Sequence, residues 1–446
     1  MDTNLPAPVI AAPSAKKSIV ILGAGFAGIR AAIDIARGLA RRGLLARYAV
    51  TIVDRNDRHV FIPLLYKVAA RPEPEHEDAC TYDIAILMRE FPITFVRGEV
   101  TTADPSTGSV TLHDGQMLHA DYLVFALGSE TNYFGIPGLK DHSLELKTLE
   151  SAREVRAALQ AAFAKGGTVR IVAGGGGPNG IELAAEMRQW ADAEERKNPG
   201  LHAEVSIVEA MPSILTGFAP RAVKIARARL AKLGVAVMTG MKIVNVDAHA
   251  ITAEKGAPVV AAKTPAPETP PAPQQETIPF DVFVWTGGTR TPELLKGIPL
   301  EKDTRGRPLA AQNLACLPGS PDLTFIPKVY GIGDNVCFID PDTSRPAPAV
   351  AHVAILEGHI AAHNLLEEIR HEEHPSHRAD MVRYVPASYP WVIPIGENWA
   401  VAQIGPVIFS GRVGWWFARI VELYYLSTIM SLGKAWRSWR RMGTGE

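Results

Sequence analysis

One stretch of this sequence occurs twice. From Ser18 the chain reads SIVILGAGFAGIRAAIDIA, a short β-branched apolar run, a glycine turn, then small and apolar residues at helical spacing. At Thr168 the pattern returns as TVRIVAGGGGPNGIELAAEM. A strand, a tight turn and a helix repeated at that distance predict an α/β chain with two Rossmann-like dinucleotide-binding domains. At 446 residues the chain exceeds what one ordinary core supports, which agrees with a division into domains.

Few other architectures survive the composition. Hydrophobic residues make up 47% and charged residues 21%, so wholesale disorder is excluded. A formal net charge of -1 argues against nucleic acid as a partner. Cys80, Cys316 and Cys337 form no CxxC pair for dithiol or metal chemistry, no metal site is expected, and reducing cytoplasm is the simplest setting. The first 17 residues read as a loose Pro/Ala tail without the apolar run of a secretory signal. No uncharged run reaches the roughly 18 residues of a spanning helix, so the chain is expected to be soluble or to lie on a membrane surface.

Gly23, Gly25 and Gly28 follow the first strand and open the first helix, with Phe26 and Ala27 between them. Glycine there lets a diphosphate approach the positive end of the helix. The next strand, VTIVDRN, ends in Asp54, followed by Arg55; a carboxylate at that place suits a ribose diol. The second copy puts Gly175, Gly177 and Gly180 in the same roles, with Pro178 and Asn179 between, and Glu209 ends the strand VSIVEA. An acid there repels a 2'-phosphate, so NADH is favoured over NADPH. Glu182 is read on the first turn of the second helix, either orienting the nicotinamide end of the dinucleotide or merely complementing the helix dipole. VYGIGDNV reads as a strand ending at Gly331 and Gly333, with Asp334 placed for a flavin ribityl chain. The helix after it, about residues 349 to 369, is expected to aim its N-terminus at the flavin ring.

These motifs together resemble the type II NADH:quinone oxidoreductases, monotopic flavoenzymes of the FAD-dependent pyridine nucleotide oxidoreductase superfamily. The resemblance runs through most of the chain. RHVFIPLLYKVA, residues 58 to 69 and including Pro63 and Leu64, looks like the family's loop past the flavin, and ALGSETNYFGIPG, with Gly128, looks like its strand-end motif closing over FAD. GGGPNGIELAAE and VFVWTGG, ending at Gly288, resemble its NADH-side motifs and favour a nicotinamide-side role for Glu182. Val100 and Val353 join the cofactor-binding set on the same resemblance. One segment departs: the family's helix after the GD motif begins AQxAxQQ, and this chain has AHVAILE. His352 replaces the first glutamine, while Leu356 and Glu357 stand where the other two would be. His352 and Glu357 are therefore candidate proton donors to a reduced quinone, set against a packed histidine and a solvent-facing glutamate.

The resemblance implies that FAD takes a hydride from NADH and passes two electrons to a quinone, without proton pumping. Related acceptors (a thiol, sulfide or protein) and a membrane-bound NADH sensor that does not turn over are the alternatives. The expected domains are 1–150 with 296–380 for FAD, 151–295 for NADH with a Pro-rich hairpin insertion at 255–276, and 381–446 for membrane association. From Gly411 the chain interleaves Trp, Tyr and Leu with Arg412, Arg419, Lys434, Arg437, Arg440 and Arg441, opposed only by Glu422 before the final residue. That pattern suits an in-plane amphipathic anchor on the cytoplasmic face of a membrane, a peripheral location. The alternative is a helix pair packed on the protein or on a second copy, and a homodimer accommodates both.

Overall fold

The computed structural model describes residues 16–72, 75–256, 274–325, 327–386 and 389–443. The expected N-terminal tail and most of the Pro-rich insertion lie outside the described residues. In chain order the elements that bear on function are β1 (Lys17–Leu22), α1 (Phe26–Arg41), β2 (Tyr48–Asp54), α2 (Leu65–Ala69), β3 (Gly167–Gly174), α3 (Pro178–Lys197), β4 (Leu201–Glu209), α4 (Ala351–Glu373), α5 (Arg412–Ile429) and α6 (Leu432–Gly443).

The chain divides into two compact units. The first takes residues up to 59, then 83–129 and 291–386, and is discontinuous. Its core is a five-stranded parallel sheet ordered Lys328–Gly331, Tyr122–Phe125, β1, β2, Ile93–Arg97. Ile19 to Leu22 are all buried, as a parallel strand covered on both faces requires. α1 buries Ile29, Ile33 and Ala36, and α4 packs along it. That packing is close because Gly358 has no side chain: a Cβ there would lie 2.5 Å from the Ala27 carbonyl oxygen. Forcing a methyl group into such a contact costs about 1–3 kcal/mol.

The second unit takes 60–82, 130–290 and the residues from 387 onward. Its parallel sheet repeats the plan: Leu144–Glu145, Val282–Trp285, β3, β4, Val235–Thr239. In both sheets the strand that feeds the glycine turn is central, so each turn emerges at the carboxyl edge between neighbouring strands, where α/β sheets bind ligands.

The domain grouping differs from the sequence reading. The segments 60–82 and 130–150, read as part of the first domain, group with the second unit, where the short α2 packs against α3 and the helix Leu149–Lys165. The run IPFDVFVWTGG spans two strands with a turn between them. Gln274–Pro279 pairs antiparallel with Ala250–Lys255, Asp281 turns the chain by accepting the Arg170 N–H at 2.7 Å, and Val282–Trp285 then enters the parallel sheet. A three-stranded antiparallel meander, Trp391–Pro394, Ala400–Ile404 and Val407–Gly411, precedes α5 and α6.

Candidate functional site

The two glycine turns match residue for residue. Gly23 and Gly175 adopt φ of +107° and +111°, a backbone conformation that side chains rarely tolerate. Each is tied to the neighbouring strand, Gly23 N–H to the Val53 carbonyl at 2.7 Å and Gly175 N–H to that of Val208 at 2.8 Å. A Cβ on Gly28 would collide with the Gly23 carbonyl oxygen, and one on Gly180 with that of Gly175. Those glycines let the helix start press against its own turn. Gly25 and Gly177 are different: no protein atom lies within 4 Å of where their Cβ would be. Each is the N-cap of its helix in extended conformation and no side chain caps either helix, the arrangement in which a helix start receives an anion. Pro178 occupies the first position of α3, where its missing N–H costs nothing.

The carboxylates repeat as well. Asp54 accepts the Ala24 N–H at 2.7 Å and the Asn56 N–H at 2.8 Å; Glu209 accepts the Gly176 N–H at 2.5 Å and the Met211 N–H at 2.7 Å. Each half-buried acid thus braces the turn it faces. Arg55 is exposed and reaches Glu99 at 3.9 Å, and Val100, at the start of a three-stranded sheet, packs against the core of the first unit.

Around the first turn the structure gathers groups from three segments. The Asp334 carboxylate accepts the Ser129 hydroxyl at 3.1 Å, and Gly128, at φ +69°, donates its N–H to Asn335 at 3.2 Å. Asn335 is fully buried and also donates to the Phe125 carbonyl, so one amide ties together the ends of two parallel strands. Glu357 of α4 accepts the Gly333 N–H at 2.6 Å. Burial pushes its carboxyl up to about 8, against the pull of that hydrogen bond and with a further rise from Asp334. His59 is buried with its Nδ1 3.0 Å from the Ala24 carbonyl, which can only accept, so Nδ1 carries the proton. Its ring meets Phe26 edge-on, and burial lowers its pKa to about 4, keeping it neutral. Sequence reasoning missed His59, Ser129 and Asn335. All three lie inside recognisable motifs, but no periodicity separates such residues from their neighbours.

α4 begins at Ala351 with no side-chain cap and no acid in its first turn, leaving its positive end open. Val353 is buried. His352 is exposed, with its pKa lowered by desolvation. Five positions apart on a helix, His352 and Glu357 lie on different faces and are not brought together. Glu357 does not face solvent, which corrects that alternative reading.

The second unit holds Pro63, exposed, and Leu64, buried. Gly288, at φ +76°, lies under Phe134: a Cβ would come within 2.5 Å of that ring. Trp285 donates to the Asn132 carbonyl at 2.9 Å and anchors the same corner. Glu182 is the fifth residue of α3, past the first turn, so complementing the helix dipole is not its role. It is buried, and burial drives its pKa well above the ordinary value, with Lys67 opposing and Glu186 adding to the rise. Asn179 is exposed at the second position of the helix.

All three cysteines are free and buried, and burial pushes their thiols up, to about 12 for Cys80 and Cys316 and about 11 for Cys337. No cluster of metal-ligating residues occurs among the described residues.

Residues 17–358 match the family described as pyridine nucleotide-disulphide oxidoreductase. The type II NADH:quinone oxidoreductase Ndh of Mycobacterium tuberculosis is 26% identical over 439 residues, covering 93% of this chain and 86% of its own length. Among solved structures, the Plasmodium falciparum NDH2 in complex with NADH superposes with a TM-score of 0.78 at 15% identity, over 96% of this chain and 98% of that one. The sulfide:quinone oxidoreductase of Aquifex aeolicus follows with a TM-score of 0.71 at 18% identity, over 93% and 91%.

Proposed function

Because the chain belongs to the pyridine nucleotide-disulphide oxidoreductase family, we propose that it is a flavoenzyme that oxidises NADH and reduces a quinone at a membrane surface, without pumping protons. The observation that carries this reading is the residue-for-residue repeat of an uncapped helix start, a glycine turn and a bracing carboxylate. The first turn holds FAD: Gly23, Gly25, Phe26, Ala27 and Gly28 take the diphosphate, Asp54 the ribose, and Arg55 and Val100 flank the adenosine. Gly128, Gly333, Asp334 and Val353 line the flavin side, and Pro63 and Leu64 are cofactor contacts on the family resemblance. The second turn holds NADH through Gly175, Gly177, Pro178, Asn179 and Gly180, with Glu209 on the ribose and Glu182 and Gly288 toward the nicotinamide. FAD, when bound, accepts a hydride from NADH and yields two electrons to the acceptor. The protein's own work is alignment, exclusion of water and charge placement. Glu357, protonated at neutral pH and buried beside Gly333, is the better proton donor of the pair considered; His352 is exposed and stands apart from it.

The quinone is favoured over a thiol acceptor because the three cysteines are buried, separate and held as neutral thiols. Anaerobic reduction by NADH followed by mixing with quinones and disulfides tests this: quinones reoxidise the enzyme repeatedly and disulfides do not. Reoxidation by disulfides alone would replace the quinone, and reduction without reoxidation would leave a sensor.

The C-terminal hairpin is the membrane contact in this reading. No helix among the described residues is long and apolar enough to cross a bilayer. α5 exposes Val413, Trp416, Ile420 and Tyr424, a stripe at helical spacing, and α6 adds Leu432 and Trp436 beside exposed Lys434, Arg437, Arg440 and Arg441. Arg419 does not belong to that basic set: it is buried, paired with Glu422 and stacked on Trp439, so it holds the two helices together. α5 also buries Leu426 and Ile429 in its own unit, so removing the helix would damage the fold. Substituting Arg437, Arg440 and Arg441 by Gln is the cleaner test and weakens binding to anionic vesicles by about 1 kcal/mol per charge.

A further inference from the structure

The middle residue of the second glycine turn is Gly176, and it is walled in on two sides. A Cβ there would lie 2.9 Å from Ile214 Cγ2 and 3.1 Å from both Cβ and Cγ of Glu209. Ile214 is fully buried, and the chain beside it is fastened to the turn. Leu215 takes φ of +50°, rare for a leucine, and donates its N–H to the Gly176 carbonyl at 2.8 Å. Glu209 is the half-buried wall, and its carboxylate accepts the Gly176 N–H at 2.5 Å and the Met211 N–H at 2.7 Å. Met211 is fixed in turn, since its carbonyl accepts the Gly240 N–H at 2.9 Å. The first turn has Ala24 in the middle position, and its acid, Asp54, is one methylene shorter and reaches the Ala24 N–H at 2.7 Å. The methyl group that stands beside the aspartate is missing beside the glutamate.

We propose that Gly176 is a positioning residue that sets coenzyme specificity through Glu209: its bare Cα gives the longer acid room to lie across the turn with its carboxylate fixed on two N–H groups. This rests on the reading of the second turn as the NADH site, with Glu209 on the ribose. A carboxylate held at both oxygens cannot swing aside for a 2'-phosphate, so its repulsion is felt in full, while a ribose hydroxyl meets an acceptor already in place. A methyl group at position 176 has to displace one of its two walls. Ile214 is buried and moves only with the turn itself, so the half-buried Glu209 chain yields and carries its carboxylate off the two N–H groups.

The test is calorimetric titration of the flavin-loaded protein with NAD+ and with NADP+, read as the ratio of the NADP+ to the NAD+ Kd, with flavin absorbance as the control for folding. Gly176→Ala lowers that ratio at least about threefold. A general distortion of the turn would weaken both coenzymes alike and leave the ratio unmoved. In a Glu209→Ala background, Gly176→Ala leaves the ratio where Glu209→Ala has set it, because the group it acts through is gone. A Gly176→Ala protein with the wild-type ratio overturns the proposal, and so do two substitutions whose effects on the ratio simply add. If Gly176→Ala does not hold flavin, the double variant does, since the chain crowded by the methyl group has been cut back; a double variant equally empty also overturns the proposal. A wild-type protein that binds neither coenzyme, or both equally, would instead reject the reading of the second turn and its acid.

Discussion

The first and second glycine turns share one backbone and differ in what surrounds it. Both present an uncapped helix start, a left-handed leading glycine and a carboxylate that braces the turn through two N–H groups. Around the first, Ser129, Asp334, Asn335 and Glu357 converge from three segments, and the neutral His59 seals the turn. Around the second, the Thr286 hydroxyl donates to the Gly174 carbonyl at 2.9 Å, the helix carries a buried carboxyl, and exposed Phe134 lies over Gly288. The shared part is what the proposed binding of a diphosphate at each turn rests on. On the proposed reading the difference is a division of labour, in which the polar groups fixed around the first turn retain a resident cofactor and the second turn exchanges a substrate.

The strongest attempt to break that comparison is a pair of matched substitutions. Gly28→Ala and Gly180→Ala each drive a methyl group into a backbone carbonyl. Gly28→Ala should lose flavin, by about 3 kcal/mol or roughly 100-fold in affinity, with flavin content measured by absorbance. Gly180→Ala should keep flavin and lose NADH binding by a similar factor. If both lost the same ligand, the assignment of one ligand to each turn would fall.

The buried carboxyl of the first site gives the next effect. Glu357 has a folded-state pKa of about 8, raised above its unfolded value, so the stability it contributes is full at low pH and is lost as pH rises toward and through 8. Between pH 6 and 8 this amounts to about 2–3 kcal/mol. Glu357→Gln retains an acceptor for Gly333 and flattens that dependence; thermal unfolding across this range reads it. Equal slopes for both proteins would show that Glu357 is already ionised.

The smallest effect separates the two carboxylates. Glu209→Ala should raise the KM for NADH about tenfold, near 1.4 kcal/mol, and narrow the preference over NADPH by removing the repulsion of a 2'-phosphate. Asp54→Ala should lower flavin content and leave nucleotide preference unchanged. A variant at position 209 that kept its full preference for NADH would place the discrimination elsewhere.

Much of this was legible from residues alone because the repeat is local. β-branched runs, glycines at fixed spacing and an acid at the next strand end are set by backbone geometry within a short span. What was not legible depends on contacts between distant segments. His59 and Asn335 owe their roles to carbonyls at positions 24 and 125. The segment 60–82 was misassigned for the same reason, since grouping follows packing and not chain order. The Arg419–Glu422 pair looked like surface charge because composition does not distinguish a buried guanidinium from an exposed one.

The central claim is that each turn binds its own dinucleotide. Ligand stoichiometry on the purified chain tests it most directly: flavin content by absorbance, then calorimetric titration of the flavin-loaded protein with NAD+. The account predicts one flavin and one NAD+ per chain, bound together. A folded chain that cannot be loaded with flavin, or one from which NAD+ displaces the flavin, would contradict it.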